Sequence, residues 1–224
     1  MSTANPARPR RLMPQLVRWH LGLGELALRL FLLNLLWVLG VLAGGIVLGI
    51  APATAALHAV LRQDRIEGVH EAEGTSPPPR GTLWAEFWAA WRGEFVRATR
   101  LGAVLATGWA LLLADRWVLS ALDLGTAGPA ASGIVVLLTV ALALVTVVVW
   151  PLAAHFEDPL RTVLRMVLTV LVARPGLTLS VLVVLGAAAA IWQSLPGLVP
   201  VFGLALPCWV VTFLVWRSGV LPRE

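Results

Sequence analysis

Long runs of apolar residues, separated by short polar segments, make up most of the chain. The first run extends from Ala27 to Leu61 and contains one charged residue, Arg29, near its start. Four further runs follow, at residues 101–122, 133–154, 177–192 and 198–216. Apolar segments of about 20 residues are typical of helices that cross a lipid bilayer. The pattern therefore predicts an all-α, polytopic helical membrane protein with a single membrane domain over residues 23–218.

The run from Ala27 to Leu61 is too long for one crossing. A straight helix of this length would extend about 50 Å, whereas the hydrocarbon core of a bilayer is about 30 Å thick. Either the chain folds back near Gly44 and Gly45, or a long helix ends near Pro52 and an interfacial helix begins there. The first alternative gives six transmembrane spans and the second gives five.

The polar segments predict tails, a loop and surface helices. Residues 1–22 form a basic tail, and residues 219–224 form a short C-terminal tail. Residues 66–81 contain glycine, serine and three prolines, which is typical of a flexible loop. Residues 82–99 predict an interfacial amphipathic helix, because large aromatic residues recur at helical spacing: Trp84, Trp88, Trp91 and Phe95. A second amphipathic helix is predicted around Arg161 and Arg165.

Composition supports a membrane environment and excludes several other classes of protein. Of the 224 residues, 58% are hydrophobic and only 13% are charged, whereas soluble domains are about one quarter charged. The formal net charge of +5 is explained by arginines that flank membrane spans beside anionic head groups, so we expect a lipid bilayer and no nucleic acid as partner. The single cysteine, Cys208, excludes a disulfide framework within the chain.

The arginines are distributed unevenly along the chain. They cluster in the N-terminal tail, in residues 62–100 and 161–174, and at Arg217 and Arg223, while the turns at 123–132 and 193–197 contain none. Arginine-rich segments of membrane proteins face the cytoplasm. The tail and residues 62–100 then lie on the same side, which requires an even number of crossings between them. This argument favours six spans, with five as the alternative.

The glycines and the proline of the first run predict close helix packing. Gly40 and Gly44 form one pair of small residues at i, i+4, and Gly45 and Gly49 form a second pair. Such pairs allow helix backbones to approach closely in lipid. They would pack either within the chain or against a partner protein. Pro52 removes one backbone donor from its helix.

Few polar side chains within the apolar runs are candidates for chemistry. Asn34 requires a hydrogen-bond partner in hydrocarbon, either on a neighbouring helix or on a polar solute. Thr54 could cap or bridge the break at Pro52. Asp115 and Arg116 are adjacent charges late in a span, either on a solute path or at the outer interface. Asn34, Thr54, Asp115 and Arg116 are therefore the candidate substrate-binding residues.

Other combinations of residues predict structure and not catalysis. Asp158 precedes Pro159, which is typical of an N-cap followed by proline at the first helical position. A glycine-rich phosphate loop, a nucleophile elbow and paired carboxylates within a span are all absent from the sequence. We therefore expect no enzymatic activity, no cofactor and no metal.

The stretch "NLLWVLGVLAGGIVLGIAPATAALHAVLR", followed by "FWAAWRGEF", resembles the YesL family of bacterial integral membrane proteins. The resemblance is specific over about residues 25–100 and continues weakly to the end. It implies a multi-pass protein of the bacterial plasma membrane with no assigned activity, often encoded beside genes for carbohydrate uptake and glycoside degradation.

This resemblance leads to two expectations about function. The first is a non-enzymatic accessory or regulatory component linked to carbohydrate uptake, in contact with a membrane protein such as a sugar-transporter permease. The alternative is a small-solute carrier or channel whose path is lined by Asn34, Thr54 and Asp115.

Overall fold

The computed structural model describes residues 13–76, 79–122, 125–156 and 158–219, and within these ranges every regular element is helical. The tails at residues 1–12 and 220–224 lie outside the described residues. The helices are α1 (Met13–Ala43), α2 (Val47–Glu73), α3 (Leu83–Ala121), α4 (Gly128–Ala153), α5 (Leu160–Ala173), α6 (Pro175–Ser194), α7 (Val199–Phe202) and α8 (Ala205–Arg217). Short 3₁₀ turns at Gly125–Ala127 and Pro196–Leu198 precede α4 and α7.

Four segments are long and apolar enough to cross a bilayer: Leu23–Ala43, Leu83–Ala121, Gly125–Ala153 and Pro175–Ser194. Helix α8 is apolar but shorter, and α2 is the most enclosed helix, with ten buried residues between Gly49 and Leu61. Large apolar side chains such as Val172 and Leu137 are exposed, as expected for surfaces that face lipid. The all-helical class and its candidate membrane spans agree with the sequence pattern.

The first apolar run is a helical hairpin that reverses at Gly44, Gly45 and Ile46. Gly45 has a positive φ of 71°, its N–H donates to Leu42, and the N–H of Ile46 donates to Val41. These two bonds form a Schellman motif, which ends a helix with a left-handed residue, usually glycine. Ile46 also has a positive φ, of 67°. The predicted fold-back near Gly44 and Gly45 is confirmed, and the alternative of one long helix that ends near Pro52 is wrong.

Three glycines of this hairpin, Gly40, Gly44 and Gly49, pack inside the chain. A Cβ added at Gly40 would lie 3.1 Å from Ala53 Cβ and 3.2 Å from the rings of Phe87 and Trp91. A Cβ at Gly44 would lie only 2.3 Å from Gly49 Cα. The grouping of these residues into two i, i+4 helix faces is therefore wrong, because α1 ends at Ala43 and both Gly44 and Gly45 lie in the turn. Pro52 lies inside α2 and does not end it.

The predicted loop at 66–81 is wrong for its first half, because α2 continues to Glu73 and ends at Gly74 in the left-handed conformation. Glutamate and alanine favour a helix there, and Gly68 costs only about 1 kcal/mol. The connection to α3 is residues 74–82. The predicted basic tail at residues 1–22 is too long, because α1 begins at Met13.

The predicted separate interfacial helix at 82–99 is wrong, because α3 runs unbroken for 39 residues. Thr82 caps it by accepting from Ala85 N at 3.3 Å, and the sequence between Arg97 and Leu105 contains no proline to end it. Its aromatic residues do not only face the membrane surface: Phe87 is fully buried and packs against Leu33 and Leu57 in the α1–α2 core.

The predicted N-cap at Asp158 is also wrong. The residue before α5 is Pro159, and no side chain caps the helix. Pro159 has an extended backbone with a ψ of 145°, so it lies outside α5, and the helix begins at Leu160, one position later than expected. Val163 and Val167 of α5 are buried, whereas Arg161 and Arg165 are exposed.

Charged segments from distant parts of the sequence meet at one end of the bundle. The guanidinium of Arg65 lies over the rings of Trp209 and Phe213, at 5.1 and 4.7 Å from their centroids. Arg174 donates to the carbonyl of Ser218, and the ring of His155 contacts Trp216. We call this end, which comprises residues 62–76, 79–100, 153–156, 158–174 and 216–218, the arginine-rich end.

Candidate functional site

Asn34 lies near the middle of the apolar stretch Leu23–Ala43 and is 2% exposed. Its Oδ1 accepts hydrogen bonds from the backbone N–H groups of Leu204 (3.1 Å) and Ala205 (3.4 Å). Leu204 immediately precedes α8 and Ala205 is its first residue, and backbone donors at a helix start have no partner within the helix. Asn34 therefore caps a helix that lies 170 residues away in sequence.

Thr54 lies in the buried part of α2 and is 7% exposed. Its hydroxyl donates to the carbonyl of Ile50 at 2.7 Å and accepts from Trp37 Nε1 at 3.1 Å. The hydroxyl thereby joins α1 to α2 beside Pro52. His58, one turn further on, is also buried, and its Nδ1 lies 2.9 Å from the carbonyl of Thr54.

Asp115 and Arg116 are both exposed near the end of α3. Arg116 borders a groove between α3 and α4 that neither Asn34 nor Thr54 lines. The four residues predicted to bind a substrate thus lie in three separate surroundings. The structure does not bring them together into one site.

An ion-pair network joins α1, α2 and α3 at the arginine-rich end. Asp64 forms ion pairs with Arg29 (2.5 Å) and Arg80 (2.9 Å). Arg80 also forms ion pairs with Glu67 (2.6 Å) and Glu86 (2.5 Å). The hydrogen bond to Glu86 makes the largest contribution to raising the pKa of Arg80 above its ordinary value. Sequence reasoning missed this network, because its members are up to 57 residues apart (86 minus 29).

A cavity of about 340 Å³ opens among α2, α3, α4 and α5 at the same end. Its walls are mostly small or apolar, including Ala59, Gly93 and Leu101. Its polar lining residues are Arg62, Glu94, Arg97 and His155, with Trp150 beside them. Sequence reasoning did not identify this cavity; the available signal was the arginine that ends the buried part of α2.

The two arginines of the cavity differ in their partners. Arg97 donates to the carbonyls of Ala153 (3.1 Å), Phe156 and Asp158 (3.3 Å), and its Nη1 lies 3.4 Å from Glu94. Arg97 therefore holds the end of α4 and its following turn in place. Arg62 makes no ion pair with the described residues, and its buried Nε has no hydrogen-bond partner among them.

Within the part of the chain that the structure describes, no group of three or more His, Cys, Asp or Glu side chains is placed to hold a metal ion. The site consists of a basic cavity at one end of an apolar helical bundle, together with polar side chains that tie the helices to each other.

Four helices that are long and apolar enough to cross a membrane, together with a cluster of charged residues at one end, are features of a helical membrane protein. The chain belongs to the family described as "Protein of unknown function, DUF624", whose model matches residues 30–116. This finding confirms the resemblance seen in the sequence.

Three proteins of Bacillus subtilis (strain 168) are similar over most of their length. "Uncharacterized protein YesL" is 30% identical over 194 residues, which cover 87% of this chain and 79% of that protein. "Uncharacterized protein YteU" is 32% identical over 189 residues, covering 81% and 77%. "Uncharacterized protein YesV" is 28% identical over 194 residues, covering 87% and 88%. No solved structure matches the chain.

Proposed function

We propose that this protein is a non-enzymatic accessory or regulatory component of a carbohydrate-uptake system in the bacterial plasma membrane. The observation that carries the proposal is the engagement of Asn34 and Thr54 by the protein's own helices. Asn34 Oδ1 is used by the backbone of α8, and the Thr54 hydroxyl is used by Trp37 and Ile50. Side chains with these partners serve helix packing, not the movement of a solute.

A carrier or channel is the alternative, and its lining residues would have to converge. Transport paths collect polar and ionisable side chains in the bundle interior. Here Asp115 and Arg116 are exposed on α3, away from the buried Asn34 and Thr54. The separation of these residues favours the accessory function.

The link to carbohydrate uptake rests on the resemblance to a family whose members are often encoded beside sugar-uptake genes. The partner would be a membrane protein such as a sugar-transporter permease. It would contact an outward apolar surface and not the hairpin glycines, because Gly40, Gly44 and Gly49 already pack within the chain.

The accessory function predicts that the purified protein alone does not move sugars. Liposomes containing it should take up labelled mono- and disaccharides no faster than empty liposomes. In cells, the tagged protein should co-purify with a sugar permease, and its deletion should reduce uptake of that permease's own sugar. Sugar uptake by the lone protein, abolished by Thr54→Val, would contradict the proposal and support the carrier.

We also propose six spans, with the arginine-rich end in the cytoplasm. The reversal of the chain between α1 and α2 supports this proposal, because it brings the end of α2 back toward the start of α1. Single cysteines at Ser2 and Ser76, in a Cys208→Ala background, should then resist a membrane-impermeant thiol reagent in intact cells. Ser194→Cys, at the opposite end of α6, is the matched control and should react. Reaction at Ser2 without reaction at Ser76 would exclude six spans.

A further inference from the structure

Among the described residues that line the cavity at the arginine-rich end, positive charge exceeds negative charge. Its ionisable lining carries two arginines and one glutamate, with His155 beside them. Glu94 lies 3.4 Å from Arg97, so the carboxylate of the cavity faces that arginine. Among the described residues, Arg62 has no carboxylate at ion-pair distance.

Within the part of the chain that the structure describes, the buried Nε of Arg62 has no acceptor for its hydrogen. A buried polar group left in this state destabilises the protein, and more so when it is charged. A ligand whose oxygen atoms accept hydrogen bonds from Arg62 would explain why an arginine lies at this position. Guanidinium groups suit phosphate in particular, because their planar set of donors matches two oxygens of a tetrahedral anion.

The remaining walls fit the rest of a phosphate ester. The cavity volume of about 340 Å³ lies within the range of small-ligand sites. Leu101, Leu160 and Val163 provide apolar surface, and Trp150 provides an aromatic one. Basic pockets between membrane helices are also the places where anionic lipid head groups bind.

We propose that this cavity binds a phosphate-ester anion, with Arg62 as the residue that contacts the phosphate and Arg97 as the residue that shapes the pocket. The anion is either the head group of an anionic lipid such as phosphatidylglycerol or a soluble phosphate. This inference does not depend on the proposed accessory function, because it concerns a ligand site and not a protein partner.

The test uses the full-length protein, delipidated in neutral detergent. Binding is measured by native mass spectrometry and by the shift in melting temperature. One set of samples receives phosphatidylglycerol or, as its phosphate-free control, diacylglycerol. A second set receives inorganic phosphate or chloride at equal ionic strength. We expect one phosphatidylglycerol or one phosphate to be retained, and the melting temperature to rise only with the phosphate-bearing member of each pair.

The variants assign this binding to the cavity. Arg62→Gln should weaken it about tenfold or more, because a charge-assisted hydrogen bond is lost. Arg100→Gln removes an exposed arginine from α3 and should bind as the native protein does. If Arg62→Gln does not fold, Gly93→Leu is used in its place. Gly93 lines the cavity, and a Cβ added there would meet no atom within 4 Å.

Retention of phosphatidylglycerol that inorganic phosphate does not displace would identify the lipid as the ligand. Displacement by inorganic phosphate would identify a soluble phosphate. Either result, together with the loss in Arg62→Gln or Gly93→Leu, supports the proposal. Absence of binding in both sets of samples, or equal binding by the native protein and these variants, would overturn it.

Discussion

Gly49→Ala is expected to prevent the α1–α2 hairpin from closing. A Cβ added at Gly49 would lie 2.3 Å from the carbonyl oxygen of Val41 and 2.8 Å from its Cα and carbonyl carbon. All three atoms belong to the backbone, so no side chain can rotate away to make room. A single methyl group would therefore force α1 away from α2, which is the most buried helix of the protein.

The expected loss exceeds about 4 kcal/mol, which is in the range that abolishes the folded state of many proteins. We expect a low yield of monodisperse protein in detergent and a melting transition that is absent or strongly lowered. Gly68→Ala is the matched control, because it makes the same substitution in the same helix at a position with no atom within 4 Å of the added Cβ. It should keep or raise the melting temperature, since alanine favours a helix over glycine by about 1 kcal/mol.

This pair of variants also bears on how a partner protein binds. If Gly49→Ala folds with a native melting temperature, the hairpin is not packed as described and its glycines are free to serve a partner. If it fails to fold while Gly68→Ala does not, the glycines are needed within the chain. A partner interface must then be sought on another face of the bundle.

The helical hairpin could be predicted from the length of the run together with the distribution of the arginines, since length alone also allows a long helix that ends near Pro52. A helix through Ala27–Leu61 is longer than a bilayer is thick, and the arginines on both sides require a return to the same side. The glycines at 44 and 45 mark the position of the turn, since a left-handed residue at a helix end is usually glycine. These arguments need only distances along the chain.

The extents of α2 and α3 could not be predicted in the same way. Residues 66–73 have a polar, loop-like composition. Glu67 in this segment nevertheless forms an ion pair with Arg80, which lies beyond the end of α2, and this contact stabilises the added turns. Residues 82–99 appear interfacial, yet Phe87 is buried against the first hairpin. Both errors arise where tertiary contacts override a local pattern.

The candidate site shows the same limit more strongly. Arg62 and Arg97 belong to different helices, and the cavity that they share also requires the end of α4 and the start of α5. The spacing of these residues along the sequence does not predict such a site. Asn34 could be identified as a buried amide in need of a partner, but the backbone of α8 as that partner could not.

Asn34→Leu is expected to destabilise the protein by removing the cap of α8. Leucine has a similar volume and suits an apolar helix, so packing is largely retained while the acceptor is lost. The N–H groups of Leu204 and Ala205 would then lie in the bundle without this acceptor and without water. Irregular backbone at membrane depth is tolerated only where the protein satisfies its polar groups.

The expected loss of stability is about 1–3 kcal/mol, because the lost acceptor leaves buried donors unsatisfied. This loss is larger than the average of about 0.6 kcal/mol for hydrogen bonds between membrane helices. The lowered melting temperature in detergent measures it, and the amount of protein inserted in the membrane should not change. Gln193→Leu, which removes an exposed amide from α6, is the matched control and should have little effect. An unchanged or higher melting temperature for Asn34→Leu would show that the amide is not needed for folding. That result would favour Asn34 as a contact for a polar solute.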